Sequence, residues 1–432
     1  MDKKKHSILW KVVLSIVAII LVVGGIFSHF GGFGTGSCAN TEEFAKYASQ
    51  ITDIKIPQNT RIVALGEATH GNIEFQQLKL EVFKVMIEKV GVRAFALEGD
   101  FGGCEYVNRY IHGGEGTAKE AAAAIGFAIY RTDEMAELIS YMREYNESAQ
   151  LGNDLQFYGF DMQRYEYNYQ YLLEEARALG MDTTELEKIW NQGKFNDNYD
   201  SDQIAEIITK VKEEMSSKEE NPKAVHFADI LLQNIFLQNI SLGKVIDSAG
   251  QGNAIRDELM AQNVLWILEQ EENRGNNCIF ISGHNGHIEQ FGNYSIDKKV
   301  MGNILADKLG DGYFAIGTDF YKTSCNLPKG RDGKRIKHTF YSYDPLAKAA
   351  KKAGYNMCWL DFSKIQEESE LKTQVTDYSY MGSLGEFYSP LFMNLMPLSY
   401  RVWRSPAELF DGMIFVTDAH PIEIWTDNIK SK

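Results

Sequence analysis

Short runs of apolar, β-branched-rich sequence recur along the chain at 61–66, 93–98, 155–160, 278–282, 313–318, 356–360 and 413–416, with helical stretches between them. No other feature restricts the fold as much. Strands buried on both faces read as near-continuous apolar runs, and strands alternating with helices form βα units. The pattern predicts an α/β fold, a mostly parallel sheet flanked by helices. At 432 residues the chain is long enough for one large domain of this kind. Between 165 and 250 the strand signal gives way to charged helical sequence. A polar break, SSKEENPKA, there resembles a helix–helix turn, so we expect a helical insertion in an α/β domain covering 41–432.

The residues just past the end of each run matter as much. RIVALGEATHGNIEF passes from a strand into Glu67 and His70 within four residues of Gly66. Asn72 is placed to cap the next helix, in which Phe75, Leu78, Val82, Met86 and Val90 keep the helical period up to Gly91. CIFISGHNGHIEQF repeats the theme, running into His284 and His287. The chain has only nine histidines, and three fall where a parallel sheet gathers the carboxyl ends of its strands. Ligands bind at that rim in open α/β sheets. Acids join them: Glu98 and Asp161 close two of the other runs. A single loop histidine is more often structural, and each acid taken alone suits a cap or an ion pair. Packing, however, gives no reason to concentrate imidazoles at one rim.

Such a group of residues suits proton transfer. An imidazole takes a proton from water near neutrality while a neighbouring carboxylate fixes its tautomer. Further imidazoles donate to an oxyanion developing on a carbonyl. The nucleophile elbow G-x-S-x-G is absent, which points to direct attack by water. Metal ligation by the same histidines is the rival enzymatic reading, although H-E-x-x-H is also absent. A surface protein holding haem or another ligand through these histidines, without catalysis, is a reading of a different class. The segment GGEG (113–116) suits a surface turn or a lid.

The N-terminus sets the location. Lys3, Lys4, Lys5 and Lys11 precede an apolar run, 12–30, whose only titratable residue is His29. A helix of roughly 20 apolar residues spans a bilayer, and lysines on its N-terminal flank place that end in the cytoplasm. We expect a basic tail (1–11), a single-pass anchor (12–30), a Gly-rich spacer (31–40) and a catalytic domain on the extracellular side. A cleaved signal peptide is the alternative, but no A-x-A site comes after the run, and TGSC makes a poor lipobox. The formal charge of −15 argues against nucleic acid as a partner. The five cysteines are scattered, without a C-x-x-C pair.

GEATHGNIEF, FALEGD, FYGFDMQ, RDELMAQNVLWIL, GHNGHI and the terminal FDGMIFVTDA, in that order, resemble the motifs of the erythromycin esterase family. The resemblance covers roughly Thr41 to the C-terminus. It implies hydrolysis of a macrolide lactone, or a related carboxylic ester, by activated water without an obligatory metal or cofactor. By position His70 is then the general base and Glu67 its partner, with Glu98, His284 and His287 supporting them. Glu74, Lys79, Asp161 and Arg256 are expected on the substrate side, and Asp257 beside Arg256 in a structural pairing. Lys79 stands where some members carry arginine, so a charge is kept but a bidentate fork is lost. The family's resistance enzymes are soluble and intracellular, whereas this chain reads as tethered outside.

Overall fold

We describe a computed structural model of the chain over residues 2–29, 37–150, 152–218, 222–241, 251–295, 297–330, 333–342 and 344–426. Phe30, residues 31–36 of the spacer, 219–221 of the polar break and 242–250 of the expected insertion lie outside the described residues. The strands are β1 (Ala48–Ser49), β2 (Ile62–Glu67), β3 (Ala94–Asp100), β4 (Gln156–Asp161), β5 (Ile279–His284), β6 (Tyr313–Pro328), β7 (Arg335–Tyr341), β8 (Met357–Asp361) and β9 (Gly412–Ala419). They form a mixed, mostly parallel sheet flanked by helices. All seven apolar runs become strands, each within a residue or two of the expected start.

The chain divides into two compact units. The first comprises Met1–Ile54, Glu67–Phe75 and Ile316–Ile422; the second comprises Lys55–Gly66, Gln76–Ala315 and Glu423–Lys432.

In the second unit the strand order is β2-β5-β3-β4, with β3 parallel to both neighbours. Every residue of β3 is buried. Phe95 of β3 stacks on Phe157 of β4 at 5.3 Å and meets Phe280 of β5 at 5.5 Å. Phe83 closes the cluster from helix α2 (Ile73–Val90), 5.2 Å from Phe95. Each such ring contributes about 1.5–3 kcal/mol by leaving water, so this aromatic layer fixes the register that places Glu98, Asp161 and His284 near their strand ends. Helix α3 (Phe101–Ile111) starts directly after β3, with Asp100 accepting from Gly103 N at 2.8 Å. Gly113 and Gly116, both at positive φ, turn the chain after it. Over 165–250 the described chain is helical in α4 (Glu166–Ala178), α5 (Ser201–Lys218) and α6 (Pro222–Ser241). A two-stranded ribbon, Trp190–Asn191 with Lys194–Phe195, interrupts them where no strand was expected. Helix α7 (Gln251–Asn273) comes next.

In the first unit the order is β1-β8-β9-β6, with β7 paired to β6. Among the described strand pairs there, β6/β9 is parallel and β1/β8, β8/β9 and β6/β7 are antiparallel. Strand β6 outruns its apolar core by ten residues because its second half pairs with β7, whose alternating, half-exposed pattern carries little hydrophobic signal. Helix α1 (Asp2–His29) contains an apolar stretch, Ile8–Gly25, in which no residue is buried.

Candidate active-site residues

The segment from Glu67 to Gly71 belongs to the first unit. Strand β2 extends to Glu67, one residue further than expected, and the turn after it is fixed by its own polar atoms. Ala68 N donates to Thr318 Oγ1 at 2.9 Å, and Leu384 N donates to Ala68 O at 2.8 Å. Gly71 N donates to Thr69 Oγ1 at 3.1 Å. A Cβ on Gly71 would lie 3.0–3.1 Å from Asn326 backbone atoms and Cys325, so glycine is required for close approach to β6. The Asn72 side chain donates to the carbonyls of Ser324 and His420, each at 2.9 Å, and accepts from Thr323 Oγ1 at 2.8 Å. It therefore ties the turn to β6 and β9's end rather than serving as a simple helix cap. Within this frame His70 Nδ1 lies 2.6 Å from Glu67 Oε1. Glu67 is buried and His70 retains a little exposed surface. The acid and the imidazole that the sequence places three residues apart are a bonded pair on a preset turn. Glu74 holds His420 instead, by Oε1 to Nδ1 at 2.5 Å and by accepting from His420 N at 2.7 Å.

The second unit assembles a larger group around Arg256, in the first turns of α7. Its guanidinium meets Asp161 at 2.6 and 3.3 Å and Glu98 at 2.9 Å. Its Nη1 lies 3.2 Å from His287 Nε2. The other ring nitrogen of His287 contacts Asp257 at 2.7 Å, and Glu98 stands 3.4 Å from Nε2. Glu98 Oε2 also accepts from His284 N at 2.8 Å; a Cβ on Gly283 would lie 3.0 Å from that oxygen, so glycine admits it. His284 is the last residue of β5 and caps the short helix Asn285–Ile288, its Nδ1 accepting from Gly286 N at 3.2 Å. Glu98 lies two residues before the end of β3, whereas Asp161 does end β4. A Cβ on Gly66 would fall 2.1 Å from Asn285 Oδ1, which packs over the end of β2.

Electrostatics distinguishes the members of this group. Burial opposes a charge on His287, but Glu98 and Asp257 outweigh both burial and Arg256, so its pKa is raised. Arg256 is desolvated yet held firmly cationic by Asp161 and Glu98. Arg256 and Asp257, both ranked below the others from sequence, each contact His287; their place at the start of RDELMAQNVLWIL was the available signal. Lys79 is fully buried in α2, so its ammonium has no exposed surface to offer a ligand. A cavity of about 620 Å³ opens beside Arg256, lined among others by Phe127, Gln163, Arg164, Leu237 and Asn253. Among the described residues no group of three or more His, Cys, Asp or Glu side chains is arranged to hold a metal ion.

The sequence model of the family described as "Erythromycin esterase" matches residues 87–419. The chain belongs to the erythromycin esterase family. Membership points to a hydrolase acting on esters. The chain is 25% identical over 301 residues to the erythromycin esterase type II of Escherichia coli, covering 62% of this chain and 70% of that protein. It is 23% identical over 318 residues to the putative hydrolase YbfO of Bacillus subtilis, covering 66% and 69%. Among solved structures, one described as a succinoglycan biosynthesis protein aligns with a TM-score of 0.72 at 18% identity, over 89% of this chain and 98% of its own. A histidine-to-asparagine mutant of the erythromycin esterase EreC in its open conformation aligns at 0.56 and 15% identity, over 84% and 91%. At these identities the structural likenesses concern the fold.

Proposed function

We propose that the protein is a membrane-anchored carboxylic-ester hydrolase that opens a macrolide lactone, or a related ester, by attack of water activated at His70. The observation that carries this is the 2.6 Å contact between His70 Nδ1 and Glu67 Oε1. It leaves Nε2 as the nitrogen that takes the proton from water, with Glu67 stabilising the imidazolium that forms. The oxygen of water bonds to the acyl carbon, the carbonyl oxygen takes up the negative charge, and collapse of the tetrahedral adduct expels the alkoxide. The proton held on His70 then passes to that alkoxide, so the base is regenerated and one water is consumed.

His287 has the opposite disposition. Two carboxylates favour its protonated form, which suits it to donate rather than to accept. We assign it, with Arg256, the task of donating to a negatively charged group of a ligand. Glu98 and Asp161 position Arg256, and His284 caps the helix that carries His287. The cavity beside Arg256, lined by amides, an aromatic ring and aliphatic carbon, suits a mid-sized polar ligand. The exposed apolar side chains of Ile8–Gly25 support an anchor, and the flanking lysines an extracellular domain.

The test is mass spectrometry of erythromycin incubated with the detergent-solubilised full chain and with its His70→Ala variant. Gain of one water by the drug with the unaltered protein alone supports both the lactone and the base. Equal gain with both proteins overturns His70 as the base. No gain with folded protein removes this drug as substrate and leaves a panel of other esters to decide the rest.

A further inference from the structure

The first unit carries a set of exposed apolar side chains that the hydrolytic chemistry does not use. Phe387, Phe392, Met396, Trp403 and Tyr378 are each about half exposed and fall within 26 consecutive residues, 378–403. Singly exposed apolar residues are ordinary, but a concentrated group marks an interaction surface. Two neighbours in the same unit identify its partner. Helix α1 packs against Pro390–Leu395, the short helix that carries Phe392. The β6–β7 hairpin is joined to the same segment: Tyr388 N donates to Pro328 O at 2.8 Å, Gly330 N donates to Tyr388 O at 3.1 Å, and Arg335 pairs with Glu386.

That hairpin is basic in a chain that is strongly acidic overall. Residues 328–337, PKGRDGKRIK, hold five Lys or Arg and one Asp, against a net charge of −15 for the whole. Lys329, Lys334 and Lys337 are exposed. The tether is short as well. Ala39 N donates to Pro345 O and Lys348 reaches Ser37 O, so the chain is fixed to the first unit from Ser37 onward. From His29 to Ser37 even a fully extended chain spans only about 29 Å.

We infer that the aromatic group at 378–403 and the basic β6–β7 hairpin form a lipid-binding face that seats the first unit on a bilayer containing anionic lipid, beside its own anchor. This rests on the reading of Ile8–Gly25 as a membrane span. Aromatic side chains favour the headgroup level, where an apolar body and a polar edge are both satisfied. Lysine and arginine add attraction to anionic headgroups that falls off within a Debye length. The chemistry fits lipid better than a protein partner, because the apolar and basic parts adjoin a helix that itself needs hydrocarbon.

Hydrogen exchange of the full chain reconstituted in nanodiscs, compared with the chain in detergent, tests this. With phosphatidylglycerol present, 384–404 and 328–338 are expected to exchange more slowly, together with 8–25. The slowing at 384–404 should be lost in a Phe387→Ser, Phe392→Ser, Trp403→Ser variant, and that at 328–338 in Lys329→Glu, Lys334→Glu, Lys337→Glu. Protection of 8–25 without the other segments overturns the lipid face and leaves the anchor standing. No protection of 8–25 overturns both. Equal slowing in pure phosphatidylcholine overturns the anionic preference. Slowing in detergent that grows with protein concentration assigns the surface to a second copy and overturns the proposal.

Discussion

The two units hold histidines in contrasting ways. His70 stands on a turn stiffened by backbone and hydroxyl hydrogen bonds and touches the buried acid Glu67. His287 sits in a charged group in which Glu98, Asp161 and Asp257 face Arg256 and the imidazole itself. There even a charged His287 leaves three carboxylates against two cations, so the local field favours the proton. A carboxylate beside an imidazole is therefore not one motif with one meaning. One acid on a preset turn orients a ring for proton exchange, whereas an acid-rich network keeps a ring protonated and available as a donor.

Removing His70 should widen that contrast most. His70→Ala is expected to lower turnover by roughly 10²–10⁴-fold, the usual worth of a general base, while leaving thermal unfolding almost unchanged, because Thr69, Asn72 and Thr318 hold the turn. Steady-state assay beside a melting curve checks both halves. Glu67→Gln keeps a hydrogen-bonding group but loses the charge, so its turnover should fall less than that of His70→Ala. An equal or larger fall would mean that Glu67 itself handles the proton.

Arg256→Ala should behave in the reverse manner, harming the fold as well as the chemistry. It would leave Glu98 and Asp161 buried without their cation, and breaking a buried pair in this way costs about 3–5 kcal/mol. Denaturant unfolding reads this directly. Arg256→Lys should recover part of the stability, since a point charge replaces the fork that spans both acids. If Arg256→Ala proved as stable as the unaltered protein, the network would be dispensable to the fold and its role purely one of charge.

Burial explains how much of this was visible in the sequence. The strands β2, β3, β4 and β5 are covered on both faces, so their apolar runs stand out, and the residues at their ends could be ranked by position alone. Strand β7 is half exposed and carries Arg335, Lys337 and His338, a pattern that reads as a loop. Glu74 and His420 lie 346 residues apart, and nothing local to either foretells their pairing. The same holds for Asp257, whose importance comes from an imidazole about 30 residues further on. Sequence placed the chemistry at the strand ends; only the tertiary pairing separates the acid that orients a base from those that hold a cation.

The smallest effect concerns pH and stability. A histidine whose folded pKa is raised adds stability that is complete below its ordinary value of 6.5 and is lost as pH rises through the folded value. His287 should therefore make unfolding easier as pH climbs above 6.5, and His287→Gln should flatten that slope. A second group acts in the same direction but lower down. Asp319 and Asp344 are buried together; burial raises both, and Asp344 reaches about 6. Their neutral form is favoured on folding, so their contribution is complete below the ordinary carboxylate value of 3.8 and fades as pH rises towards and beyond 6. Asp344→Asn, which can still accept from Leu346 N, should reduce the slope between pH 3.8 and about 6. Unfolding free energies from about pH 4 to 9 for the two variants separate the windows. A slope above 6.5 that survived His287→Gln would show that the Arg256 group does not hold its imidazole protonated, and the contrast between the two histidines would then rest on geometry alone.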